Sequence, residues 1–255
     1  MTSGSPSLVF GTQAARYHRG RPPVTGVAVD WLTDGVSGTV VDIGAGTGSL
    51  TAQLITRMQA VIAVEPSRGM RAELTKNCPT IQVRPGAAER LPLPARSVNA
   101  AFMSGAWHWV DVPRAVQELA RVLVPGGRLG VCWNNPLSVP QEPGVQLFPP
   151  DVMAQLASAR HPERAPGLFV LPRPNPFSPP ERFECQQMVD MTPEQIGELL
   201  NTYSGMLRLQ LESPERCAEL TRVAVEYASM RARRLDVRAV PVRFMVTCYR
   251  TTLKC

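Results

Sequence analysis

The sequence predicts an α/β fold, in which one mostly parallel sheet carries helices on both faces. From residue 24 onward, short β-branched segments alternate with segments of helical spacing. The first β-branched segment, 38–44, is short and ends in glycine, as a buried parallel strand does. A hydrophobic content of 44% and 255 residues are ordinary for one globular α/β domain with insertions.

The first half of the chain supplies five strands and the helices between them. The helix after the first strand places Leu50, Leu54 and Met58 on one face. Pro66 closes the second strand, and Ser67 is a candidate N-cap for the helix that follows. The predicted strands are 38–44, 60–66, 80–86, 97–105 and 125–133, and the predicted helices are 24–32, 47–58, 67–77 and 112–124.

The second half begins with a proline-rich stretch at 135–180, which contains one short helical candidate at 150–160. A long insertion of this kind is a lid, a binding loop or a disordered excursion. Regular structure is predicted to resume at 181–191. Helices then follow from Pro193 and from Pro214 to Arg233, and a final strand covers 241–251.

Composition disfavours several classes of partner. The net charge is +6, but the arginines are scattered and lack the interleaved aromatic residues of a nucleic-acid surface. The six cysteines are dispersed, which argues against a zinc site or a disulfide framework and predicts a reducing, cytoplasmic location. No apolar run approaches the ~20 residues of a membrane span, and no secretory signal is recognisable.

The stretch "VVDIGAGTG" (40–48) is a strand followed by a glycine-rich loop, which lets a ligand approach the backbone closely. A nicotinamide-dinucleotide fingerprint requires glycine where Ser49 stands, and a P-loop requires a lysine that is absent. Glu65, at the end of the second strand, is placed to accept the hydroxyls of a ribose. A solvated strand-end glutamate is the alternative reading of that residue.

Several segments, in their order along the chain, resemble class I S-adenosylmethionine-dependent methyltransferases. The branch is the one that includes ubiquinone/menaquinone-biosynthesis and trans-aconitate methyltransferases. The likeness covers roughly residues 15–135 and implies a Rossmann-like seven-stranded sheet whose last strand is antiparallel. The matching segments are "YHRGRPP" (17–23), "VVDIGAGTG" (40–48), "AVEPS" (63–67), "GAAERLPLP" (86–94), "AWHWVD" (106–111) and "ELARVLVPGGRL" (118–129).

The resemblance implies S-adenosylmethionine as cofactor and assigns residues to it. Asp42 would lie beneath the glycines and bond to loop N–H groups or to the cofactor's amino group, and Glu65 would bind the ribose. Tyr17 and Arg21 would belong to an N-terminal element that closes over the cofactor. The full set of implied cofactor-binding residues is Tyr17, Arg21, Asp42, Gly44, Ala45, Gly46, Gly48, Glu65, Pro66, Met70, Ala88, Glu89, Ser104, Gly105 and Ala106.

Three departures from the family pattern affect these assignments. Ala87 stands where many relatives carry an acid at the adenine, and Val24 stands where they often carry an aromatic residue. The segment "WNNPL" at 133–137 lacks the acid of the usual pattern near the substrate.

His108 is the candidate catalytic base, because an imidazole titrates near neutral pH. Its alternative role is to pack the cofactor or orient the loop. The sequence predicts methyl transfer to oxygen, nitrogen or carbon of a small molecule, since "SGAW" at 104–107 replaces the [DN]PP[YF] motif of adenine N-methylation. Alternatives are a rearrangement or cyclisation around a structural cofactor, and a non-catalytic adenosyl-binding partner.

The sequence also predicts one domain over 1–255 that acts as a monomer or homodimer without a metal. Its predicted parts are a helical cap (1–35), a cofactor-binding half (36–134), a proline-rich lid (135–180) and C-terminal strands and helices (181–255).

Overall fold

The computed structural model describes residues 13–138, 146–158 and 167–254. Parts of the predicted cap and lid, at 1–12, 139–145 and 159–166, lie outside these residues. The chain divides into two compact units, each assembled from three stretches of chain. We call 23–134, 164–185 and 246–255 the sheet unit, and 1–22, 135–163 and 186–245 the helical unit.

Seven strands form one sheet in the order β3-β2-β1-β4-β5-β7-β6, which confirms the predicted architecture. The pairs β1–β2, β1–β4, β2–β3 and β4–β5 are parallel, and the last strands are antiparallel. The strands are β1 Thr39–Ile43, β2 Ala60–Val64, β3 Gln82–Arg84, β4 Val98–Ser104, β5 Leu123–Ser138, β6 Glu181–Met191 and β7 Val240–Thr252.

Helices connect the parallel strands, and several begin at the caps that the sequence predicts. Ser67 Oγ accepts a hydrogen bond from Met70 N–H, and Asp111 caps the helix before β5 by accepting from Arg114 N–H. The helices are α1 Ala14–Gly20, α2 Gly26–Thr33, α3 Ser49–Ile55, α4 Arg68–Asn77, α5 Val112–Val122, α6 Pro150–Ser158, α7 Pro193–Leu200, α8 Ser204–Glu212 and α9 Pro214–Arg234, with a 3₁₀ turn at Trp107–Trp109.

The core of the sheet unit covers both faces of the sheet. In β4, Ala100 and Phe102 join one buried cluster, whereas Ala101 and Met103 join another. This alternation follows from the two-residue period of a strand. The first cluster includes Leu50 of α3 and the second Leu119 of α5, so helices cover both faces as predicted. The helical unit has its own core, which α7, α8 and α9 share with residues of α6 and of the β7 segment 240–244.

Two elements differ from the sequence prediction. Strand β5 begins two residues before the predicted turn at 125–127 and continues past 133 to Ser138. The β4–β5 register shifts between Val98 and Ala100, so that the glycines lie in an irregular part of the ladder instead of ending it. Helix α8 was not predicted, because its nine residues are short and carry a glycine in the first turn.

Candidate functional site

The glycine loop joins the end of β1 to the start of α3 in a backbone form that suits glycine. Gly44, Gly46 and Gly48 have φ values of 65°, 58° and 93°, in the left-handed region. A side chain at Gly44 would meet the Cβ of Ala106 at 2.8 Å, so the loop lies directly against the segment that follows β4. A side chain at Gly46 would meet nothing within 4 Å. The loop backbone is therefore open at Gly46.

Glu65, at the end of β2, holds this loop in place. Its Oε2 accepts a hydrogen bond from Gly46 N–H at 2.9 Å, and its Oε1 accepts one from Ser67 N–H at 2.8 Å. Burial raises the pKa of Glu65, while these two backbone bonds oppose the shift. Each carboxylate oxygen can accept a second hydrogen bond, so Glu65 can hold the loop and still bind hydroxyl groups.

Asp42 lies in β1 beneath the loop and is fully buried. Its Oδ2 accepts a hydrogen bond from Thr51 Oγ1 at 2.6 Å, so its partner belongs to helix α3 and not to the loop. No donor in the described part of the chain reaches its Oδ1, which is also buried. Desolvation, opposed by the Thr51 bond and assisted by the charge of Glu65, raises the pKa of Asp42 to about 7.

The segment after β4 lies next to the loop, at the carboxyl end of the parallel strands, where ligands bind in such sheets. Gly105 N–H donates to the carbonyl of Cys132 in β5, and a side chain at Gly105 would meet nothing within 4 Å. Trp107 is buried against Phe169, with ring centroids 5.0 Å apart. The predicted residues Ser104, Gly105 and Ala106 are thus brought together with Gly44.

His108 accepts a hydrogen bond that the sequence does not reveal. The indole Nε1 of Trp133, in β5, lies 3.2 Å from His108 Nδ1. The indole group can only donate, so the imidazole nitrogen is the acceptor. The bond depends on the neighbouring positions of β4 and β5, in which Ser104 is paired with Cys132.

The predicted adenine-side residues lie around the ends of β2 and β3, in different environments. Met70 and Ala88 are buried and Pro66 is exposed. Glu89 Oε1 accepts a hydrogen bond from Asp111 N–H at 2.7 Å, and so fixes the end of the turn that carries His108.

Tyr17 and Arg21 belong to the helical unit, whereas the glycine loop belongs to the sheet unit. The guanidinium carbon of Arg21 lies 5.9 Å from the ring centroid of Tyr17 and 5.0 Å from that of Tyr203. Arg21 Nε donates to Thr202 Oγ1 at 2.8 Å. Their predicted role at the cofactor stays a prediction.

Sequence reasoning missed the partners of the predicted residues, namely Thr51, Trp133 and Tyr203. A threonine nine residues after Asp42, on the following helix, is a signal that could have identified its partner. Neither Trp133 nor Tyr203 is marked by any local pattern.

Within 13–138, 146–158 and 167–254, no three His, Cys, Asp or Glu side chains are grouped to hold a metal ion. None of the helices in these ranges combines the length and apolar character that crossing a membrane requires.

Comparison with known proteins decides the family. A family profile described as a methyltransferase domain matches residues 41–131, which include the glycine loop and most of β5 up to Val131. An uncharacterised methyltransferase of Schizosaccharomyces pombe is 30% identical over 228 residues, which are 84% of this chain and 86% of that protein. The chain belongs to the S-adenosylmethionine-dependent methyltransferases. Its cofactor is S-adenosylmethionine.

Other relatives match over shorter stretches or by fold alone. An uncharacterised methyltransferase of Mycobacterium tuberculosis is 47% identical over 129 residues, 51% of this chain and 53% of that protein, so the chain spans about half its length. A candidate type II methyltransferase of Anaeromyxobacter dehalogenans has a TM-score of 0.60 at 23% identity, over 90% of this chain and 97% of that one. Phosphoethanolamine N-methyltransferase 2 of Haemonchus contortus, solved with S-adenosylhomocysteine, has a TM-score of 0.53 at 13% identity. The likeness covers 96% of this chain and 58% of that one.

The residues of the loop fit this cofactor. The open backbone at Gly46 and Gly105 leaves room for a ligand beside the loop. Glu65 has accepting capacity left for ribose hydroxyls, and Asp42 Oδ1 can accept a donor that the described residues do not supply.

Proposed function

We propose that the protein transfers the methyl group of S-adenosylmethionine to a small-molecule acceptor. The observation that carries the proposal is the direct contact between the glycine loop at Gly44 and Ala106, in the segment after β4. It supports the proposal because Gly44 is proposed to hold the cofactor and Ala106 to border its reacting group. S-adenosylmethionine supplies a methyl group activated by a positively charged sulfur, and holding an acceptor in line with it can provide most of the acceleration.

Each residue of the loop region has a proposed task. Gly44, Ala45, Gly46 and Gly48 form the backbone cradle of the methionine part, which the positive φ values and the open space at Gly46 support. Glu65 binds the ribose hydroxyls while it holds Gly46. The residues proposed for the adenine side are Pro66, Met70, Ala88 and Glu89, and those proposed beside the sulfonium are Ser104, Gly105 and Ala106.

A small acceptor is favoured over a nucleic acid. The arginines are scattered along the sequence, and the segment after β4 lacks the motif of adenine N-methylation. A cytoplasmic location belongs to the same proposal, and the five free cysteines among the described residues are compatible with it. A monomeric or homodimeric state is proposed with it.

Substitution of Gly46 by alanine tests the cofactor site. The methyl group would project into the open space that the proposal gives to the cofactor, so G46A is expected to weaken S-adenosylmethionine binding at least about tenfold. Its positive φ of 58° adds a backbone cost of about 1–2 kcal/mol to folding. Isothermal titration calorimetry with S-adenosylmethionine measures the first effect and urea denaturation the second.

Gly35 provides a matched control. Its φ is 70° and a side chain there would also meet nothing within 4 Å, so G35A carries a similar backbone cost away from the loop. The variant G35A is expected to bind the cofactor as the wild type does. Equal binding by G46A and wild type would refute the loop assignment. Tight binding without turnover on any of a panel of acids, phenols and amines would favour a rearrangement or a non-catalytic role.

A further inference from the structure

We propose that Trp133 fixes His108 as a hydrogen-bond donor and not a base, and that the molecule that receives the methyl group reacts through a carboxylate. This inference rests on the proposed function. It starts from the 3.2 Å hydrogen bond between Trp133 Nε1 and His108 Nδ1.

The bond determines the tautomer of the imidazole. A neutral imidazole has one N–H and one bare nitrogen, and an indole N–H donates only to the bare one. With Nδ1 occupied as acceptor, the proton of His108 is on Nε2. The imidazolium form would carry a proton on Nδ1 as well and would lose the bond from Trp133. The second nitrogen of His108 is therefore a donor.

Burial makes this arrangement stable. Trp133 is 1% exposed and its ring meets Tyr249 edge-on, with centroids 6.2 Å apart. An indole N–H buried there destabilises the folded protein if it lacks an acceptor. Rotating the His108 ring away from Trp133 carries that cost, so the Nε2–H tautomer is maintained.

The position of His108 relates this donor to the reaction. His108 follows Ala106 by two residues, and Ala106 lies against Gly44 of the loop. Two hydrogen bonds hold the turn that carries His108. At its start, Gly105 N–H donates to the carbonyl of Cys132. At its end, Asp111 N–H donates to Glu89 Oε1. The donor is thus held beside the proposed methyl-transfer site.

The N–H group of His108 indicates which kind of methyl acceptor suits the site. An acceptor that must lose a proton during the reaction, such as an alcohol or a protonated amine, requires a base. A carboxylate is already ionised at neutral pH and only accepts hydrogen bonds, so it matches a donor. One carboxylate oxygen forms the new bond to the methyl carbon while the carbon–sulfur bond breaks and its electron pair goes to sulfur. The charges of carboxylate and sulfonium cancel, the products are a methyl ester and S-adenosylhomocysteine, and no proton moves.

Nitrogen NMR of ¹⁵N-histidine-labelled protein reads the tautomer directly, without any acceptor. His108 is assigned among the three histidines by its loss in His108→Gln. The wild type is expected to show a pyridine-type signal for Nδ1 and a pyrrole-type signal for Nε2. Trp133→Phe is expected to shift this signature toward a mixture of tautomers.

A second buried tryptophan separates this effect from loss of packing. Trp107 is 2% exposed in the same core cluster but contacts Phe169 instead of His108 Nδ1. Trp107→Phe is therefore expected to destabilise the fold while leaving the His108 signature unchanged. An Nδ1–H signature in the wild type, or an identical one in Trp133→Phe, would overturn the role of Trp133.

Kinetics test the donor and the acceptor class. Glutamine can donate from a position near that of Nε2 but is no base, so His108→Gln is expected to keep at least about tenfold more kcat than His108→Ala. Equal loss in the two variants would restore the base role predicted from the sequence. Carboxylic acids are expected to be methylated in preference to matched phenols and amines, and the reverse preference would overturn the acceptor class. Failure of the proposed function has a different signature, namely no calorimetric binding of S-adenosylmethionine.

Discussion

Asp42 shows how one buried residue connects stability with the cofactor loop. The carboxyl group is hydrogen-bonded to Thr51, and its second oxygen is buried without a donor in the described part of the chain. Such a group is costly when charged and tolerable when neutral. Its pKa of about 7 means that both forms are populated at neutral pH.

The pH dependence of stability follows from this pKa. The folded-state pKa of Asp42 lies above the ordinary value of 3.8. The contribution of Asp42 to the unfolding free energy is therefore fully present below pH 3.8 and is lost as the pH rises toward 7. Between about pH 5 and pH 8 this loss amounts to about 3 kcal/mol, at about 1.4 kcal/mol per pKa unit. The variant D42N, which has no charge to bury, is expected to lack this part of the decline.

Urea denaturation at the two pH values measures the difference. Asp190 is an exposed aspartate on the edge strand β6, and D190N is expected to show the wild-type pH dependence. If the unfolding free energies of the wild type and D42N change equally with pH, Asp42 is not the cause of the decline.

Some contacts of single residues were predictable from the sequence and others were not. Ser67 was predicted as a helix cap from its type and its place at the start of a predicted helix, and both criteria are local. The bond of Trp133 to His108 joins residues 25 positions apart on the chain. It depends on the β4–β5 register, which side-chain patterns do not specify to the residue. Partners of this kind could be found only once the strands had been aligned.

Among the elements, α5 and the turn before it position the reaction side of the loop. Asp111 ends the turn that carries His108 and begins α5 by accepting a hydrogen bond from Arg114 N–H. Its own N–H donates to Glu89. The start of α5 is therefore fixed by both the side chain and the backbone N–H of Asp111.

Loss of this cap is expected to weaken α5. D111A removes the side-chain acceptor and is expected to lower the unfolding free energy by about 1 kcal/mol. D111N keeps an acceptor oxygen and loses only an exposed ion pair with Arg114, so it is expected to remain near the wild type. Urea denaturation compares the three proteins, and equal loss in D111A and D111N would show that the charge, not the cap, is what matters.

Elements with strong periodicity or clear boundaries were predicted well. Helix α5 and helix α9 were both placed within a few residues of their observed ends. The 3₁₀ turn at Trp107–Trp109 and helix α8 were missed, since they are short and their hydrophobic pattern covers little more than one or two turns. The extension of β5 to Ser138 was missed because proline at 136 argues against a strand.

Both compact units are discontinuous in sequence. The sheet unit is completed by residues 246–255, of which Val246 and Cys248 are fully buried in one cluster and Leu253 joins another. Leu253 also exchanges backbone hydrogen bonds with Gly126 and Gly127 of β5. The fold class was predictable from strand and helix alternation, but this division was not, because contacts between distant segments determine it.

A chain that stops at Met245 is therefore expected to lose the fold of the sheet unit. It lacks buried side chains on both faces of the sheet and the β7 part that lies beside β5. Loss of near-ultraviolet circular dichroism and of S-adenosylmethionine binding is expected. A chain shortened by Cys255 alone keeps these contacts and is the control. Retention of cofactor affinity by the shorter chain would show that β7 is dispensable for the loop.

The arrangement of the sheet unit also bears on how the protein is made. The ribosome releases the glycine loop and strands β1 to β5 long before it releases 246–254, so β5 waits with one edge unpaired. An unpaired edge is a template for pairing with another chain. We therefore expect molecular chaperones and the speed of translation to influence the yield of folded protein, because both affect what happens to that edge during synthesis.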